Sequence, residues 1–313
     1  MPYTLKPDQG LDVDAETTPY LDSLVDTGDR WTLNFGPQHP ATHTTLRLVL
    51  QLDGERIARC TPHIGYLHSG FEKLAEVMDY NQYVTITSRT NYLSPLSNNM
   101  AWHGAVEKLF GIDLTPRCKV LRTIMAELAR IQDHLLCVGA AALDLGAFTG
   151  FLYAFNPREK IYDICDYIAG QRFHPDWTRV GGLMMDLPDE DVFRVMVKEF
   201  INDDLITAIG DLEKLVERNR IFMDRTQGVG TISKEDAINW SLSGPLARAS
   251  GVRRDLRKDE PYLCYADNWD GNGAKAVEFD VPIATDGDCY CRFLVRIEEI
   301  KQSVRIIDQL IDR

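Results

Sequence analysis

Residues 135–155 read LLCVGAAALDLGAFTGFLYAF, and the fold class turns on how this stretch is taken. It is close to the ~20 residues that a membrane-crossing helix needs. Its single charge, Asp144, falls near the middle. An aspartate there opposes insertion by roughly 2.5 to 3.5 kcal/mol, and the surrounding Ala and Gly offset little of that. The stretch therefore reads as a helix buried in a water-soluble body. In that setting Asp144 needs a partner or a proton, because an isolated buried carboxylate is strongly disfavoured.

The pattern extends in both directions. Upstream, Leu114-Thr115-Pro116 supplies an N-cap and a first-turn proline. Leu121, Ile124, Leu128, Ile131 and Leu135 then recur at threes and fours as one apolar stripe. Downstream, residues 189–220 repeat the helical period, and Ser233 with Asp236 predicts the opening of another helix. The chain closes on RFLVRIEEIKQSVRIIDQLIDR, with Phe293, Ile297, Ile300, Val304, Ile307 and Leu310 on one face. Segments 174–188 and 251–288 read as loops. Toward the N-terminus the period falls to two. Residues 31–35 and 44–52 predict strands, Asp53-Gly54 a hairpin turn, and 55–60 the return strand. The expected organisation is a polar arm over 1–30, a small β unit over 31–62 and a helical body over 63–313. The fold class is α+β, mainly α: a small N-terminal antiparallel sheet followed by a bundle of long helices.

Charge and cysteine usage exclude several functions. Forty-seven acidic against thirty-four basic residues leave a net charge of −13, so no nucleic-acid partner is expected. Cys60, Cys118, Cys137, Cys165, Cys264, Cys289 and Cys291 are scattered and include no CxxC pair. That speaks against a disulfide scaffold and for a reducing compartment. It also leaves no ligand set for a zinc ribbon or a self-contained iron–sulfur site. The N-terminal residues show neither a basic nor an apolar leader region, so no secretory signal is expected. Gly228-Val229-Gly230 lacks the third glycine of a dinucleotide fingerprint. The basic run Arg253, Arg254, Arg257 and Lys258 reads as a solvated loop or as a docking surface.

Histidine placement is the sharpest local signal. His39, His43, His63 and His68 fall within a short N-terminal segment. Pro40 and the strand that follows argue against a helical HxxxH. Three readings stay open: a metal site short of ligands, capping histidines in a turn, and a proton-handling site near neutral pH. In the last, a carboxylate on one ring nitrogen would fix the tautomer, and Asp144 is a candidate for it.

Several motifs then resemble one family in order along the chain. Asn34-Phe35-Gly36-Pro37-Gln38-His39-Pro40-Ala41-Thr42-His43 is similar to the opening signature of the 49 kDa subunit family of NADH–quinone oxidoreductase, respiratory complex I. Pro62-His63-Ile64-Gly65, Leu67-His68, Phe71-Glu72-Lys73-Leu74, Leu143-Asp144-Leu145-Gly146-Ala147, Ser243-Gly244-Pro245 and the segment 249–262 continue the match, as does 292–310. The family resembles the large subunit of nickel–iron hydrogenases. The resemblance implies that scaffold with its metal cavity turned into a quinone headgroup site. It places the quinone-facing histidine on His43, with His39 beside it, the tyrosine partner on Tyr92 and the carboxylate behind the histidine on Asp144.

The resemblance further implies that this chain binds no cofactor of its own. Quinone would be the substrate, and electrons would come from an iron–sulfur cluster in a neighbouring subunit. Subunits B and C of the peripheral arm and the membrane-arm subunits would be partners, at the cytoplasmic face of a bacterial inner membrane. A ferredoxin- or deazaflavin-dependent relative and a non-catalytic remnant of the scaffold are the alternatives. Two departures stand out. His68-Ser69-Gly70 replaces the family's His-Arg-Gly, which would lower the potential of a nearby cluster. Family members also continue past the late helix, so the chain is expected to be C-terminally short.

Overall fold

A computed structural model describes residues 30–313, so the polar arm read into 1–30 lies outside the described residues except for Arg30. By compactness the chain falls into one unit ending at Phe71 and another spanning Glu72–Arg313.

The first unit carries a three-stranded antiparallel sheet, β1 (Arg30–Phe35), β2 (Arg47–Asp53) and β3 (Arg56–His63), in the order β1-β2-β3. Leu50 and Leu52 alternate inward along β2 and are buried. The hairpin turn is Gly54-Glu55, one residue later than expected, because Asp53 stays in the ladder opposite Arg56. Gly54 takes the positive φ, 60°, that opens the turn. β2 starts at Arg47 because Thr44, at φ 67°, is left-handed and cannot belong to a strand. β3 runs past Cys60 to His63.

The second unit is helical. Among its described residues the long helices are α1 (Pro95–Phe110), α2 (Pro116–Asp144), α3 (Phe148–Ala169), α4 and α5 (Cys289–Leu310). The run α4 is continuous, built from Glu190–Glu199, the π-helical Phe200–Leu205, Ile206–Leu212 and the π-helical Glu213–Glu217. At the centre, α2 packs against α1, α3 and α5. Thr115 caps it by accepting the Cys118 N–H at 3.4 Å. Its expected stripe, Leu121, Ile124, Leu128, Ile131 and Leu135, is buried throughout. On α5, Phe293, Ile297, Ile300, Ile307 and Leu310 are buried, with Val304 packed at the margin. Ser233 accepts the Asp236 N–H at 3.0 Å and opens the helix Lys234–Asn239 as expected.

Residues 135–155 are not one helix. α2 ends at Asp144, the chain turns through Leu145, Gly146 and Ala147, and α3 starts at Phe148. The run of Ala and Gly serves a crossing of two helices rather than the burial of one. A Cβ on Gly139 would stand 2.9 Å from the Ala154 Cβ, so small residues are what let α2 and α3 cross closely. No helix among the described residues is long and apolar enough to cross a membrane.

Candidate functional site

In the first unit, His39 and His43 flank one short turn. A side chain on Gly36 (φ 77°) would collide with the Leu46 carbonyl oxygen, so only glycine lets β1 enter the turn. Gln38 N–H closes the turn on the Thr44 carbonyl at 2.6 Å. His39 caps the 3₁₀ segment Pro40–Thr42, its Nδ1 accepting the Ala41 N–H at 3.1 Å. An accepting Nδ1 carries no proton, so the neutral ring is protonated at Nε2. The ring also rests on Phe35, with centroids 4.5 Å apart. The capping reading therefore holds for His39. His43 follows in a left-handed conformation (φ 51°) with its side chain exposed. His63 and His68 are exposed as well. Among the described residues, the grouping of metal-type donors within 4.8 Å of one another is Asp286, Asp288 and Cys291, without a histidine. There the Asp288 carboxylate already accepts N–H groups from Cys291 and Gly228, both at 2.8 Å, and caps α5.

Tyr92 and Asp144 belong to the second unit. Tyr92 sits in the turn between the helix Val84–Thr87 and α1, 47% exposed. Its ring leans on Phe173 at 6.4 Å, and its hydroxyl makes no hydrogen bond to a described residue. Asn91, the preceding residue, ties the turn to α2 by donating from Nδ2 to Asp133 Oδ1 at 3.2 Å. Asp133 lies three helical turns, roughly 16 Å, before Asp144 on α2, so Tyr92 and Asp144 are not adjacent.

Asp144 is exposed at the C-terminal end of α2, not buried within an apolar helix. It borders a mainly apolar cavity of about 510 Å³ whose polar rim includes Arg225, Arg292, Arg296, Cys137 and Cys289. Arg225 Nη1 donates to the Leu145 carbonyl at 2.9 Å and fixes the turn beyond Asp144.

The family described as respiratory-chain NADH dehydrogenase, 49 Kd subunit, matches residues 144–313. The chain is 48% identical over 302 residues to the NADH-quinone oxidoreductase D subunit of Akkermansia muciniphila, covering 95% of this chain and 70% of that protein. It belongs to the 49 kDa subunit family. The corresponding D 1 subunit of Opitutus terrae is 49% identical over 285 residues, 91% of this chain and 64% of that one. The D 2 subunit of Rhizobium meliloti is 50% identical over 281 residues, 90% and 67% respectively. The chain thus spans between 64% and 70% of the length of these relatives.

This 49 kDa-family chain also holds buried ionic groups that periodicity does not single out. Glu127 on α2 accepts from Arg257 Nη1 at 3.0 Å, Arg130 Nε at 3.1 Å, Ser303 Oγ at 2.6 Å and the Tyr265 hydroxyl. Burial pushes its carboxyl up, but Arg130, Arg257 and the two hydroxyls outweigh this and hold it at about 2. Glu299 on α5 accepts from Arg248 Nε at 2.6 Å and faces His134 Nε2 at 2.7 Å. It too is held at about 2 against its burial. Glu107 forks onto Arg122 at 2.8 and 3.0 Å. Arg257 falls in the run that reads as a basic surface, yet it is buried against Asp255 and Glu127, while Arg253, Arg254 and Lys258 stay exposed. The signal in the sequence is Glu127, Arg130 and His134, charged or polar residues interleaved with the apolar stripe.

Proposed function

We propose that the chain is the quinone-site subunit of an NADH–quinone oxidoreductase, helping to reduce and protonate a quinone. Reduction of a quinone to a quinol takes two electrons and two protons. The electrons would arrive from an iron–sulfur cluster in a neighbouring subunit. The Tyr92 hydroxyl and the His43 imidazole would each hydrogen-bond a quinone carbonyl oxygen and release a proton to it. Asp144 keeps the role that the resemblance gives it, the carboxylate serving His43, and His39 lies beside that histidine at the headgroup. Subunits B and C, the membrane-arm subunits and the cytoplasmic face of a bacterial inner membrane complete the reading. The names of the relatives favour NADH over ferredoxin or a deazaflavin as the electron source.

The observation that carries this reading is Tyr92. A phenol in a folded chain usually buries its ring or satisfies its hydroxyl. Here a turn pinned on both sides presents an open hydroxyl. Ser69, in the place of the family arginine, donates to the Leu67 carbonyl at 3.3 Å and brings no charge. The test is Tyr92→Phe and His43→Ala in the assembled complex. Quinone reduction should fall about tenfold or more in each, while NADH oxidation by an artificial acceptor upstream is unchanged. Wild-type quinone turnover in both variants would overturn the assignment.

A further inference from the structure

We infer that Asp133 is a positioning residue for the Tyr92 phenol, acting through Asn91 and itself oriented by a buried chain of ionisable groups. The inference rests on the quinone reading of Tyr92. Asn91 grips the turn on both sides of the tyrosine. Its Oδ1 accepts the Leu93 N–H at 3.3 Å, its carbonyl accepts from Asn98 Nδ2 at 2.9 Å, and its Nδ2 donates to Ser94 Oγ at 2.9 Å and to Asp133 Oδ1 at 3.2 Å. Of these tethers, the bond to Asp133 is the one that reaches α2. Its acceptor is a carboxylate, the one charged partner in the set.

Behind Asp133 the chain continues into the core. Asp133 Oδ2 lies 3.6 Å from His134 Nδ1, a buried atom with no hydrogen-bond partner. His134 Nε2 stands 2.7 Å from Glu299 Oε2, and the other Glu299 oxygen takes Arg248 Nε at 2.6 Å. Arg248 is held in turn by the Arg254 carbonyl at 3.0 Å. Glu299 is ionised, so Nε2 must donate to it, and Nδ1 faces Asp133, to which it donates only when the ring is an imidazolium. Burial raises the Asp133 carboxyl, but His134, Asn91 and Arg296 together bring it below its ordinary value. The other groups within electrostatic reach are Arg158 and Cys137. A helix that packs its polar side chains this way fixes one carboxylate orientation, and through Asn91 that orientation reaches a half-exposed phenol that has little else to hold it.

The test uses the assembled complex and a short-chain quinone. Asp133→Ala and Asn91→Ala should each raise the quinone KM about tenfold while kcat moves less than about threefold. Asp133→Asn, which keeps an acceptor, should recover most of the loss. In a Tyr92→Phe background, Asp133→Ala should add nothing, since the residue acts through the phenol. A KM unchanged in both alanine variants, or an Asp133→Ala effect that persists undiminished beside Tyr92→Phe, overturns the inference. If Asp133→Ala prevents assembly, Asn91→Ala carries the same comparison. Tyr92→Phe with both KM and turnover at wild-type values would count against the quinone reading as well, whereas a raised KM or a lowered turnover there with silent Asp133 and Asn91 variants sinks the positioning role alone.

Discussion

Glu127 shows what one residue contributes to this fold. Its carboxylate is fully buried, and two guanidiniums, a serine and a tyrosine converge on it. Removing the charge leaves Arg257 facing only Asp255 in a dry site. Glu127→Gln should therefore destabilise the chain by about 3 to 5 kcal/mol, read by chemical denaturation at neutral pH. A loss below about 1 kcal/mol would mean that water reaches the site. The pH dependence has a definite sign. Glu127 and Glu299 sit at about 2 in the folded chain against an ordinary value of 4.5. Their contribution is complete above the ordinary value and is lost as pH falls from there through about 2. Acid unfolding should thus begin just below the ordinary carboxylate range, and Glu127→Gln should flatten that limb.

Residue chemistry also marks where sequence reading stops. Tyr92 is a single tyrosine in a turn and carries no period or spacing that separates it from the other tyrosines. Only its family resemblance singles it out. His39 and His43 are visible as a pair, yet their division into a capping ring and an exposed one depends on the left-handed backbone at His43, which sequence does not display.

At the scale of elements, α2 and α5 are legible because their apolar residues recur with the helical period. The crossing of α2 and α3 is not, because a hydrophobic run looks the same in one long helix and in two helix ends joined by a turn. The discriminating residues are Gly139, Gly146 and Gly150. Gly139→Val should force the two helices apart and destabilise the chain by about 2 kcal/mol or more, measured as a fall in Tm. An unchanged Tm would show that the crossing has slack. The three-residue slip at the start of β2 has a similar origin. Thr44 has high strand propensity, but the turn that presents His43 takes it into left-handed backbone, and tertiary demand overrides propensity.

Across the whole molecule the acidic balance, −13, understates how charge is used, because Arg122, Arg248 and Arg257 are withdrawn into the interior with their carboxylates. The long run α4 bears on how the chain tolerates changes of length. Along it one row of buried residues, Phe193, Val197, Ile201, Leu205, Ile209, Leu212 and Val216, flanked by the buried Phe200 and Ala208, is spaced nearer four than 3.6. A regular helix would carry that stripe off the core, and the two π-helical segments unwind the run enough to keep it facing inward. Each such segment holds one more residue than an α-helical path requires. It follows that α4 has places where the chain can be shortened by a residue without turning its far end. Deletion of Asn202, within Phe200–Leu205, should leave a cooperative thermal transition. Deletion of Thr207, in regular helix, should abolish it by rotating everything beyond by about 100°. Equal damage from the two deletions would deny α4 this tolerance. Such segments are where the run can lose a residue before any other residue has to change.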